Sequence, residues 1–150
     1  MEDFIGVQEQ DFNVDEQYQA LCADNQQDGA VLSFVGLVRD FNQGTEVKSL
    51  FLEHYAGMTE KSLYAIVGRA RQKWQLGRVR VIHRFGQLEL GEQIVFVGVS
   101  SAHRKSAFEA CEFIMDYLKT QAPFWKKELS AQGETWLAAK ESDQQEADKW

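Results

Sequence analysis

Cysteine is scarce: Cys22 and Cys111 are the only two, with no C-x-x-C pair. That excludes a zinc ribbon and a disulfide framework. Proline is scarcer, with Pro123 alone, and no repeat or Pro/Gly/Ser-rich tract divides the sequence. Residues 1–150 are therefore expected to form a single domain. No apolar run approaches the roughly 20 residues of a membrane-spanning helix. The opening Met1-Glu2-Asp3-Phe4 lacks the basic-then-apolar order of a signal peptide, so a cytoplasmic protein is the expectation. Metal and nucleotide motifs are missing as well. There is no HxxxH, HExxH, DxDxDG or glycine-rich fingerprint, and Ser100-Ser101 makes no nucleophile elbow. Neither a bound metal nor a cofactor is expected.

What is present is a core and an uneven distribution of charge. Hydrophobic residues make up 44% of the chain, enough to reject disorder. The net charge of −7 argues against general polyanion binding. Yet Lys61, Arg69, Arg71, Lys73, Arg78, Arg80 and Arg84 fall in a stretch, 61–88, without one acid. A solvated basic face is the plain reading, and an acidic docking partner or nucleic acid are the others. No stacking aromatics are interleaved to support nucleic acid. Acids gather instead at Glu141, Asp143, Glu146 and Asp148.

Hydrophobic periodicity predicts strands at Phe4–Val7, Ala30–Val38, Val47–Tyr55, 78–85, Gln87–Leu90 and Ile94–Val99. The last is apolar on both faces and should be central in a sheet. Helices are predicted at Val14–Asp24, opened by Asn13 and Glu16 at capping-box spacing, and at Thr59–Trp74. For the second, Thr59 is the expected cap, Met58 and Leu63 the staple, and Gly77 the stop. A third helix, His103–Thr120, carries Ala107, Phe108, Cys111, Ile114, Met115 and Leu118 as its core stripe and closes before Pro123. Lys126, Lys127 and Glu128 are expected in a loop, a short strand at Thr135–Ala139, and a last helix capped by Ser142. Strands and helices interleave with hairpins, so the fold class is α+β.

Cysteines in register with Tyr18 and Leu21, or with Phe108 and Met115, read as buried, inert thiols. His54 and His83 fall among apolar strand neighbours and read as satisfied core histidines. The third helix is where chemistry concentrates. Its first turn follows Ser100-Ser101 and offers His103 and Arg104, where amides and the helix dipole favour an anion. An ordinary helix start with exposed polar residues fits the same spacing. Lys119, at the edge of the apolar stripe, either snorkels outward or, partly desolvated, acts as acid or base. His103 and Lys119 stand roughly 24 Å apart at about 1.5 Å per residue. One small-molecule site cannot use both ends of one helix, so two copies of the chain are expected to share each site.

Three stretches then carry a resemblance: LEHYAGMTEK at 52–61, VIHRFG at 81–86, and the run from Glu92 to Lys127 with SSAHRKSAFEA and FIMDYLKTQAPFWKKE. From about Phe12 to Trp150 the chain resembles the large, catalytic subunit of molybdopterin synthase. The resemblance implies an α/β-hammerhead fold with an additional antiparallel β-sheet. It also implies a heterotetramer: a central homodimer with a small ubiquitin-like sulfur-carrier subunit at each end. That subunit bears a C-terminal thiocarboxylate, and the sulfurtransferase activity moves its sulfur to cyclic pyranopterin monophosphate, forming the dithiolene of molybdopterin in molybdenum cofactor biosynthesis. Lys119 and Lys126 fall at the catalytic positions. Leu37, Val38, Arg39, His103, Arg104, Lys127 and Glu128 fall at substrate-binding ones, the His-Arg pair coming from the neighbouring copy. Lys140 stands where relatives often have arginine, and loses the bidentate fork. A non-catalytic subunit that binds an anion or a partner's tail within a sulfur-transfer complex is the alternative.

Overall fold

The computed structural model describes residues 3–39, 47–122, 124–130, 133–137 and 141–150. For 47, 48, 125–130, 133–137 and 141–143 it describes the backbone alone. The elements in order are β1 Asp3–Gln8, α1 Val14–Cys22, β2 Ala30–Leu37, β3 Val47–His54 and α2 Met58–Lys73. They continue with β4 Val79–Arg84, β5 Gly86–Glu89, β6 Gln93–Ser101, α3 Arg104–Gln121, β7 Phe124–Ser130, β8 Gly133–Leu137 and α4 Glu141–Asp148. Two four-stranded sheets result, ordered β1-β4-β6-β2 and β5-β3-β7-β8. In the first, β1 runs parallel to β4 while the other pairs are antiparallel. The second is antiparallel throughout. This is the expected α+β architecture, and β6 is interior to its sheet as its two apolar faces predicted.

Alternation along β6 explains the layers. Val95, Val97 and Val99 join Val79 and Val81 under α2 and α3, where Leu63, Ile66, Val67, Cys111, Ile114 and Leu118 cover them. Phe96 points the other way, to Leu21 of α1, Phe12 and Ile82. Gly98 lets α1 approach: a Cβ there would sit 2.6 Å from Leu21 Cδ1 and 2.7 Å from the Phe96 ring. A smaller cluster, Val38, Leu50, Leu52 and Leu88, joins the second sheet to the first. At the C-terminus Lys149 lies among Glu112, Asp116 and Glu146, and the Trp150 indole donates to Asp116.

Several local expectations needed correction. Asn13 does cap α1, accepting the Glu16 amide at 3.0 Å. Helix α2, however, starts one residue early. Gly57, at φ 84°, is its N-cap, the Glu60 carboxylate accepts the Gly57 amide, and the Thr59 hydroxyl is buried without a hydrogen-bond partner. Met58 is 60% exposed, so the staple does not form. Gly77 is needed for space rather than as a helix stop. A Cβ would lie 2.0 Å from Asp28 Oδ2, and Trp74 already ends α2 in extended geometry. Phe108 is 58% exposed; Ala110 and Phe113 replace it in the α3 stripe. Cys22 is half-buried, unlike Cys111. Ser142 lies inside α4 rather than capping it. Residues 40–46, between the strands predicted at Ala30–Val38 and Val47–Tyr55, lie outside the described residues.

Candidate active site

Helix α3 stops where the sequence says it should: Ala122, before Pro123, is extended at φ −73° and ψ 133°. The segment after Pro123 is a strand, not the predicted loop. From Phe124 onward β7 pairs with β3 on one side and β8 on the other. Three consecutive charged residues after two aromatics give no clean alternation, so only the partner strands disclose it.

Where α3 gives way to β7 there is a cavity of about 110 Å³. Met115, Leu118 and Lys119 of α3 line one side, and Phe34, Gly36 and Leu37 of β2 another. Leu52, His83 and Phe124 contribute from three further strands. Simple alternation would send Gly36 and Leu37 to opposite faces of β2. The register shift between them lets both reach the cavity, a common device beside functional sites. Gly36 also permits the close packing of β6, since a Cβ would meet Val95 Cγ1 at 2.7 Å. Phe34 and Leu37 are 41% and 55% exposed and form the mouth. Lys119 is exposed there, and its ammonium makes no hydrogen bond or ion pair with the described residues.

The other expected site residues distribute unequally. Lys126 stands in register between Leu52, a cavity residue, and Leu137. Lys127 pairs with Phe51 and Trp136, and Glu128 with Leu50 and Thr135. The backbones of all three thus continue from Phe124, past the cavity. Val38 is buried, its amide donating to the Glu92 carbonyl at 2.9 Å and its carbonyl accepting from Gly91 at 2.7 Å. This closes the strand end from which exposed Arg39 departs. His103, the N-cap of α3, and Arg104 are exposed at the far end of that helix. A single copy does not bring them to Lys119. Lys140 lies outside the described residues.

The serines before α3 are not the anion ligands that their position invited. Ser100 is fully buried; its hydroxyl donates to Asp28 at 2.7 Å and accepts the Arg78 amide at 2.7 Å. The Ser101 hydroxyl donates to the Gln75 carbonyl at 2.9 Å. Burial pushes the Cys111 thiol up to about 12, with Glu112 adding to the effect, so it stays protonated and inert. His83 is buried and bonded as expected. His54 is not satisfied: its Nδ1 is buried with no hydrogen-bond partner. The presence of His83 and Phe124 at the cavity was missed. The available signal was a polar ring in the apolar row Val79, Val81, His83, together with an aromatic right after Pro123.

The pattern of the MoaE protein family matches residues 7–121, most of the chain. The chain belongs to the MoaE protein family. That matched span includes Leu37, Val38, Arg39, His103, Arg104 and Lys119 and stops short of β7. Full-length relatives extend the similarity across β7. The molybdopterin synthase catalytic subunit of Vibrio cholerae is 57% identical over 150 residues, covering 100% of this chain and 99% of that protein. The Escherichia coli protein of the same name is 59% identical over 146 residues, 97% of each chain. Among solved structures, the MoaE protein of Burkholderia ambifaria superposes with a TM-score of 0.85 at 44% identity, covering 99% of this chain and 98% of that one. Family membership and fold thus agree, with the hammerhead-type α+β body and its additional antiparallel sheet.

Proposed function

We infer that this chain is the catalytic subunit of a molybdopterin synthase, a sulfurtransferase of molybdenum cofactor biosynthesis, with residues 1–150 acting as one domain. The observation that carries the reading is Lys119 at the mouth of a cavity of about 110 Å³ whose walls are largely apolar. At roughly 30 Å³ of liquid volume per water-sized group, that space takes about four heavy atoms. A glycine-sized chain end fits; a whole pterin does not. The thiocarboxylated tail of a small ubiquitin-like carrier therefore enters the cavity. The cyclic pyranopterin monophosphate lies outside it, across Phe34 and Leu37 toward Arg39. Both reactants are anionic, and cations gathered at the mouth lower the cost of bringing them together.

Each sulfur transfer forms a carbon–sulfur bond at a pterin side-chain carbon and breaks that carbon's bond to oxygen, which leaves as water or, once, as the opened cyclic phosphate. The bond from sulfur to the carrier's acyl carbon also breaks, and water takes over that carbon as a carboxylate. Lys119 and Lys126 move protons and stabilise the charge that develops as these bonds exchange. Arg39, Lys127 and Glu128 bind substrate beside them. His103 and Arg104 of a second copy complete the phosphate and pterin contacts, because α3 is too long to deliver both of its ends to one site. The resulting assembly is a central homodimer with a carrier subunit at each end, in the cytoplasm. Among the described residues no helix is long and apolar enough to cross a membrane.

The test mixes the protein with thiocarboxylated carrier and cyclic pterin and monitors dithiolene product. Lys119→Ala should lower turnover by about 10²–10⁴-fold while carrier binding persists. A subunit that only holds the tail would show weakened carrier binding and no such loss of rate per bound complex.

A further inference from the structure

The cavity has one wall that catalysis by the two lysines leaves unexplained. His83 is 5% exposed, on the same face of β4 as Val79 and Val81. A buried polar ring in an apolar row costs free energy unless it is bonded. Its Nδ1–H is held at 2.8 Å by the carbonyl oxygen of Arg84. That peptide is itself anchored. The buried Arg84 guanidinium donates to the Glu9 carbonyl at 3.0 Å and the Gln93 carbonyl at 2.9 Å, and pairs with Glu92 at 3.4 Å. The imidazole so fixed stacks on Phe124, with ring centroids 3.8 Å apart and planes within 20°. His54, in register with Phe124, is a looser neighbour at 6.4 Å and 38°.

Phe124 is the first residue of β7, the strand that carries Lys126, and its amide donates to the Ala122 carbonyl at 2.8 Å. It is thus tied to the end of α3, three residues beyond Lys119. His83 and Phe124 belong to different sheets. Their stack joins the sheets beside the cavity, at the point where α3 hands over to β7. We propose that His83 is a positioning residue of the sulfur-transfer site: its anchored ring seats Phe124 and so sets where Lys126 stands relative to Lys119. This rests on the reading of those two lysines as catalytic.

Misplacing reacting groups by about 1 Å can cost on the order of 100-fold in rate. His83→Ala should therefore lower the single-turnover rate of dithiolene formation by about 10–100-fold. KM for the pterin should stay near native, because the pterin lies outside the cavity, and the rate is read at saturating carrier because His83 lines the space the tail enters. Amide exchange should accelerate in 124–130 and not in β6. His83→Phe keeps the stack and should recover most of the rate. His83→Ala combined with Phe124→Leu should be no slower than the slower single variant, since both remove one contact. A native rate in folded His83→Ala overturns the proposal, as do multiplying effects in the double variant or unchanged exchange in 124–130. If His83→Ala fails to fold, His83→Phe and Phe124→Leu carry the same comparison of rate and exchange. The outcome is separable from the catalytic reading. Full activity in both Lys119→Ala and Lys126→Ala removes that reading whatever His83 does. Inactive lysine variants beside a native His83→Ala remove only the positioning role.

Discussion

Two groups of cations in this molecule have opposite fates. The dense stretch 61–88 invites a reading as a basic surface, yet six of its seven cations are engaged by other parts of the molecule, Arg69 and Lys73 from exposed positions. Arg71 binds Asp3 and the Leu76 and Gly77 carbonyls. Arg78 donates to the Ala20 and Ala23 carbonyls at the end of α1, and Arg80 donates to Gln17 and covers the Phe4 ring. Arg69 reaches Gln121 and the Tyr117 ring, Lys73 the Trp150 carbonyl, and Arg84 the strand ends around Glu9 and Gln93. The sparse basic side chains at the two ends of α3, Lys119, His103 and Arg104, make no side-chain hydrogen bond or ion pair with the described residues and are exposed. Charge density along a chain therefore says little about availability. Arginines that reach backbone carbonyls brace elements together, whereas a lysine left in solvent beside a cavity, as Lys119 is, remains open to a ligand.

The contrast can be broken most sharply by mixing. His103→Ala and Lys119→Ala homodimers should each be nearly inactive. Exchanged subunits should regain up to about a quarter of native turnover, because half the dimers then hold one complete site. No recovery after verified exchange would mean that the two ends of α3 do not meet across copies. Next in size is the bracing group. Arg84→Ala strands buried carbonyls and should lower stability by about 2–4 kcal/mol in urea unfolding. Lys61→Ala, at an exposed helix position, should change it by less than about 0.5 kcal/mol. Equal effects would erase the distinction between brace and free cation.

The smallest effect concerns a group that neither set uses. Cys111→Ser should leave turnover within about twofold of native, because in the proposed reaction sulfur comes from the carrier and a core thiol of this kind is inert. The thiol's folded value, about 12, lies above its ordinary 9.0. Its contribution to stability is therefore complete below pH 9 and is lost as pH rises from there toward 12. Thiol alkylation at pH 8 should accordingly track unfolding rather than the native state.

Much of the fold was legible because it depends on local rules. Period-two and period-3.6 hydrophobicity located most strands and the first three helices. The doubly apolar run 94–99 announced an interior strand, and Pro123 announced the end of α3. Failures occurred where a distant element decides. β7 is a strand because β3 and β8 flank it. Gly57 displaced Thr59 as the α2 cap once the chain turned with positive φ. Ser100 became a buried acceptor because Asp28 and Arg78 fold back onto it. Of the candidate site, the place of Lys119 at the stripe's edge and the length of α3 were legible. Its wall was not, since His83 looked like any core histidine until Phe124 was found stacked against it.

By itself the sequence determined the α+β class, the central strand, the inert Cys111, and the separation of His103 from Lys119, all consequences of residue spacing along regular elements. Only the tertiary structure decided which cations are spent on internal contacts and which stay in solvent, and which side chains enclose the cavity beside Lys119. Those outcomes depend on contacts between residues far apart in the chain, and no periodicity within one segment encodes its neighbour in another.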